Sequence, residues 1–152
     1  MTKLIIPDSN IFIKLLHPEH DSEEVKVFFK TCAELNTKLI VPELFKYEIS
    51  AVACSFKCDL KKTLDLYYMH TRAIMTVSTP NEETWLLAEK ITQAGSQQSG
   101  FPSLYDSIYH ALAINLNGVF LTADKKHYDK AKEFGHIALL EVWESIFTIH
   151  LP

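Results

Sequence analysis

Four acids in this chain stand where a carboxylate can do chemistry: Asp8, Glu48, Asp106 and Asp124. Asp8 follows the apolar run Leu4-Ile5-Ile6 and Pro7, and Ile11-Phe12-Ile13 resumes directly after it. Asp124 closes Val119-Phe120-Leu121-Thr122-Ala123 in the same manner. Asp106 lies three residues after Ser103, the spacing of a helix capping box. Glu48 sits between Leu44 and Val52, a turn to either side, so helical spacing puts it inside an apolar arc. Taken singly, each aspartate is explained by capping a helix. Taken together, and with a glutamate that is costly to bury alone, they describe a site. Four carboxylates at one edge repel unless a cation intervenes. All-oxygen donors favour Mg²⁺ or Mn²⁺ over zinc.

Such a site needs elements that bring the acids together. Short apolar runs at Leu4–Ile6, Lys38–Val41, Ile74–Val77, Val119–Leu121 and Ile137–Leu140 read as strands, most of them buried on both faces. Helical spacing fills the intervals. Ser22 reads as the cap of a helix carrying Val25, Phe28, Phe29 and Cys32, and residues 43–57 carry Phe45, Ile49 and Val52. Asp59 caps a helix through Leu64 and Tyr67, and residues 78–84 open one with Trp85, Ala88 and Ile91. A helix from Ser103 stops near Gly118, and one from Lys125 closes at Gly135. Gly95 to Gly100 reads as a mobile loop at the functional edge, and the chain after Glu141 has no clear period. Strands alternating with helices predict a three-layer α/β/α sandwich with a mainly parallel sheet. In such a sheet, strand ends and the following helix starts meet at one edge, where ligands bind.

The 152 residues fit a single domain, 1–152, and 47% apolar with 22% charged residues is ordinary for a globular protein. No apolar run is long enough for a membrane span. Met1-Thr2-Lys3 leads straight into a strand without a signal-peptide pattern, and three cysteines cannot all pair, so a reducing cytoplasm is expected. Cys54 and Cys58 read as small apolar fillers. The net charge is −4 and Arg72 is the only arginine. Such a protein does not hold nucleic acid by charge alone. If the ligand is a phosphate ester, a divalent ion held by the acids is the economical counter-charge.

Asp8-Ser9-Asn10, Glu48 in the helix after Val41-Pro42, the segment from Asp106 to Ala113, and Leu121-Thr122-Ala123-Asp124 resemble, in order and type, the four acidic motifs of the PIN domain. The resemblance is greatest to the small prokaryotic VapC-type toxins. It implies a Mg²⁺- or Mn²⁺-dependent ribonuclease, usually a homodimer and often paired with a small antitoxin. Asp8, Glu48, Asp106 and Asp124 match the family's metal-binding and catalytic acids, and Asn10 and Thr122 match the polar residues that support them. Lys125, Lys126 and His127 begin the helix after Asp124, close enough to meet RNA phosphates. A solvated helix face explains them equally well. Tyr105, Tyr109 and His110 could stack on a base or pack their helix, and Phe28, Phe29, Tyr67 and Tyr68 are candidates for a dimer contact.

Other readings stay open. A phosphoacceptor signalling domain shares the sandwich but wants two adjacent acids after the first strand, where this chain has Asp8-Ser9-Asn10. A haloacid-dehalogenase-type phosphatase wants a second acid at position 10, which is Asn10. A PIN-like module without activity, serving as an RNA- or protein-binding scaffold, would keep the fold but has little need of all four acids.

Overall fold

The computed structural model describes residues 3–148. Five strands form one sheet: β1 (Leu4–Pro7), β2 (Lys38–Pro42), β3 (Met75–Ser78), β4 (Val119–Thr122) and β5 (Ile137–Leu139). Their order is β3-β2-β1-β4-β5 and every pairing is parallel. Thus β1 is central, as its wholly buried Ile5 and Ile6 require.

Among the described residues seven α-helices connect the strands, α1 (Ser9–Ile13), α2 (Ser22–Glu34), α3 (Leu44–Ser55), α4 (Leu60–Ala73), α5 (Glu82–Thr92), α6 (Leu104–Asn115) and α7 (Lys125–Ala131), and an eighth, α8 (Ser145–Thr148), follows β5. The path runs outward from β1 to β3, then returns past β1 to β4 and β5. Right-handed crossovers therefore put α1–α4 on one face and α5–α7 on the other. The result is the expected α/β/α sandwich, with an entirely parallel sheet. The reversal of direction falls between β1 and β4, the crevice where parallel sheets take ligands.

Most helix starts follow the local chemistry. Asp8, Asp59, Asn81, Ser103 and Asp124 are N-caps whose side chains accept backbone N–H bonds. At α2 the cap position falls to Asp21. Ser22 is the first helical residue, and its hydroxyl accepts the Glu19 N–H at 2.8 Å. Gly135, at φ 71°, ends the short 3₁₀ turn Lys132–Phe134 that follows α7.

The aromatic pairs expected at a contact face lie mostly inside. Phe28, Phe29 and Tyr67 are buried in the main core and only Tyr68 is partly exposed. Phe28 packs edge-on against Trp143, whose indole N–H donates to Glu24. Trp143 and Ile146, from the stretch without a period, are thus core residues. Of the cysteines, only Cys32 is a buried filler; Cys54 is exposed and Cys58 intermediate. Among the described residues no helix is long and apolar enough to cross a membrane. Met1, Thr2 and residues 149–152 lie outside the described residues.

Candidate active site at the carboxyl edge of the sheet

The edge above β1 and β4 carries a hydrogen-bonded frame. Asp8 leaves β1 buried, only 3% exposed. Its Oδ2 accepts from the Thr122 hydroxyl at 2.8 Å, and its Oδ1 faces the Ser9 hydroxyl at 3.3 Å. The Thr122 Oγ1 in turn accepts the Asp124 N–H at 3.0 Å. Asn10 reaches across from α1. Its amide donates to Thr122 Oγ1 at 3.5 Å, and its Oδ1 accepts the Ala123 N–H at 3.3 Å. Asn10 and Thr122 therefore tie the end of β1 to the end of β4.

The other acids enter from helices. Glu48 projects from α3, and its Oε1 accepts the Tyr109 hydroxyl at 2.6 Å. Asp106 is the third residue of α6. The Ser103 hydroxyl takes the Tyr105 N–H, but no capping-box bond returns from Asp106 among the described residues. Its carboxylate is free for another use. Asp124 spends one oxygen as a cap: Oδ1 accepts the Lys126 and His127 N–H groups at 2.9 and 3.2 Å.

Asp8 and Asp106 feel the charges of their neighbours. Burial pushes the Asp8 carboxyl up to about 7, with the charges of Asp106 and Glu48 adding and the bonds from Thr122 and Asn10 opposing. Burial also raises Asp106 to about 6, and Asp124 and Glu48 add to it. Glu48 is raised by burial against the bonds from Tyr109 and Ser9. So the structure does bring all four acids to one edge. As the side chains stand, no three Asp, Glu, His or Cys groups among the described residues close on a single point tightly enough to hold an ion.

Lys125 and Lys126 are exposed at the start of α7. His127 departs from its expected RNA contact. It is 2% exposed, because the third residue of α7 faces inward onto α6. Tyr109 and His110 are likewise buried and unavailable for base stacking, while Tyr105 is open to solvent. The segment Gly95–Gly100 is closed by a bridge between Ser96 and Gly100, with the Ser96 N–H donating to Gly100 O at 3.1 Å. It precedes α6, and Gly100 lies against the Lys130 side chain of α7.

Sequence reasoning did not assign Ser9 to Asp8, Tyr109 to Glu48, or a pairing of His110 with His127. Tyr109 carried a usable signal: it is three residues after Asp106 in a helix and so shares its face.

The frame can be set beside known proteins. No curated protein matches the chain by sequence. In solved structures, VapBC-1 from nontypeable Haemophilus influenzae superposes with a TM-score of 0.68 at 19% identity, over 91% of this chain and 98% of that one. VapBC2 from Rickettsia felis, bound to a DNA fragment from its promoter, gives 0.67 at 12% identity, over 90% and 96%. DNA-bound VapBC from Salmonella typhimurium gives 0.66 at 13%, over 91% and 97%. These likenesses establish the fold. The family model of the PIN domain matches residues 5–133, a span holding all four acids and their supporting polar groups. The chain therefore belongs to the PIN-domain family.

Proposed function

We propose that this protein is a divalent-metal-dependent endoribonuclease and the toxin of a toxin–antitoxin pair. One observation carries the reading: four carboxylates from β1, α3, α6 and the end of β4 meet at the sheet's switch point, where burial, with the neighbouring acids' charges adding, raises Asp8 and Asp106. Such repulsion is costly unless a cation relieves it. Asp8, Glu48, Asp106 and Asp124 would hold Mg²⁺ or Mn²⁺. Their donors are all oxygen, as such an ion prefers, and small side-chain movements have to complete the grip. Bound there, the ion supplies an activated water and stabilises charge on a phosphodiester.

The chain's own residues do the rest. Thr122 and Ser9 fix the Asp8 carboxylate, Asn10 holds Thr122, and Tyr109 orients Glu48. Lys125 and Lys126 sit at a helix N-terminus, where the dipole disfavours positive charge. Lys125 makes one exposed ion pair, to Glu141 at 3.6 Å, of the kind worth little to stability, and both lysines are open to meet RNA phosphates. The likeness to toxin–antitoxin complexes supports a small antitoxin partner, and PIN membership supports a homodimer in the cytoplasm.

The test is cleavage of labelled RNA by the purified protein with Mn²⁺ or with EDTA. Turnover should need the metal and vanish in Asp8→Asn and Asp106→Asn. Cleavage in EDTA, or near-normal turnover by either variant, would overturn the reading. A catalytically silent RNA- or protein-binding module is the second reading, favoured by the open spacing of the acids. It predicts a retained RNA complex with no cleavage at any Mn²⁺ concentration.

A further inference from the structure

Beneath the acids lies a buried pair of histidines. His110 on α6 is wholly buried, and its Nε2 stands 2.7 Å from the carbonyl oxygen of Gly135. A carbonyl only accepts, so His110 carries its proton on Nε2. Its Nδ1 is then a bare acceptor. The Nε2 of His127 lies 3.3 Å from that atom and has to be the donor. This leaves His127 Nδ1 without a proton, and it is one of two buried side-chain polar atoms without a partner among the described residues. A structure does not keep an orphaned buried nitrogen at no cost. The hydrogen bond that the same ring makes at its other end is the reason to keep it.

That bond closes a circuit around two of the acids. His110 follows Asp106 by one turn of the same helix. His127 donates its backbone N–H to Asp124 Oδ1 at 3.2 Å. Asp124 lies near enough to Asp106 for its charge to add to the raised Asp106 carboxyl. So the path runs Asp106, His110, His127, Asp124 and back, with one helical turn, two hydrogen bonds and one Coulombic contact. Of these links, only the His110–His127 bond joins α6 to α7 directly.

We infer that His110 and His127 are positioning residues: their mutual hydrogen bond sets the separation of Asp106 and Asp124 and so the grip of this edge on a divalent cation. The inference rests on the acids being the metal site. It assigns the histidines no contact with metal or substrate. Gly135 completes the unit, because its φ of 71° aims the carbonyl that dictates the tautomer of His110, a conformation that glycine adopts freely.

Mn²⁺ binding by calorimetry on the full chain, without RNA, tests this. His127→Phe keeps an aromatic ring, slightly larger, but cannot donate. It exchanges one orphaned nitrogen, on His127, for another on His110, so the fold is expected to survive. It should weaken Mn²⁺ about tenfold, as losing an outer support of a metal ligand does. His127→Gln places an amide N–H near the position of Nε2 and should stay within about threefold of wild type. Removing both rings should cost no more than removing one, since they act as a unit. Equal Mn²⁺ affinity in wild type and His127→Phe would overturn the inference alone. So would a glutamine variant as weak as the phenylalanine one. A wild-type protein that binds no Mn²⁺ overturns the metal reading first, and the inference with it. Nitrogen chemical shifts of the two rings in the metal-free wild type give an independent check. Both should be neutral with the proton on Nε2, and a His127 proton on Nδ1 would overturn the pairing whatever the variants do.

Discussion

At the scale of the residue, the acids work against the fold that holds them. Asp8 is raised to about 7 from an unfolded value near 3.8. It is protonated in the folded state at pH 5 and charged at pH 8, so its contribution to stability is present below about 4 and fades as pH rises towards 7. Asp106, at about 6, acts in the same direction. His127, lowered to about 4 by burial, acts oppositely, losing stability as pH falls from 6.5 towards 4. The wild-type profile mixes these, and a difference between proteins separates them. In EDTA, Asp8→Asn should gain on wild type in Tm as pH rises from 5 to 8, by a few degrees for each ~1 kcal/mol. A gap that stays constant across that range would remove Asp8 from the charged cluster. Metal should reverse the order. Mn²⁺ should raise the Tm of wild type more than that of Asp106→Asn, because only affinity for the folded state stabilises. Equal shifts would leave Asp106 as a residue of the helix's first turn and nothing more. The acids were legible in the sequence because each sits beside a change from strand to helix or inside an apolar arc. The histidine pair was not, since helical spacing tells which face a ring is on and says nothing of what that face meets.

At the scale of the element, α6 is the hub. It carries Asp106, Tyr109 and His110, and it ends so that β4 can lie beside β1. Gly118 makes that junction. A Cβ there would stand 2.4 Å from Leu4 Cδ2 and 2.7 Å from the Leu4 carbonyl oxygen, which is backbone and cannot easily retreat. Gly118→Ala should therefore lower stability by about 1–3 kcal/mol, the usual range for overpacking. Thermal melts would show it, while Mn²⁺ affinity of the folded protein should stay within about twofold. An unchanged Tm would mean that β1 and β4 have slack at this end. Gly118 read only as a helix stop, because close approach of a distant strand leaves no local mark. The strands were readable from their apolar runs and from Pro7 and Pro42 at their ends. The stretch from Leu140 was opaque for a physical reason. It holds one 3₁₀ turn and one four-residue helix, anchored by Trp143 and Ile146, too short to establish a period.

At the scale of the whole molecule, the charge balance constrains how the proposed RNA substrate would be held. With a net charge of −4, one arginine and two lysines at the mouth, few phosphates can be neutralised. Single-strand binding should then show a shallow salt slope, about tenfold between 50 and 200 mM for two or three phosphate contacts. A loss of a thousandfold in a filter or fluorescence titration would reveal a basic surface that this reading omits. The order of the strands has a further consequence, and it concerns time. The central strand is made before the others, but its partner beyond the switch point, β4, comes only after β2 and β3: the Asp8–Thr122 bond joins residues 114 positions apart. At ordinary rates of synthesis, roughly 6 to 23 seconds separate the two. Until β4 arrives, β1 has one open flank, and Asp8 lacks both its bond from Thr122 and the acid that closes the cluster. On the proposed reading, the four-acid cluster therefore stays incomplete in any chain that stops short of Asp124.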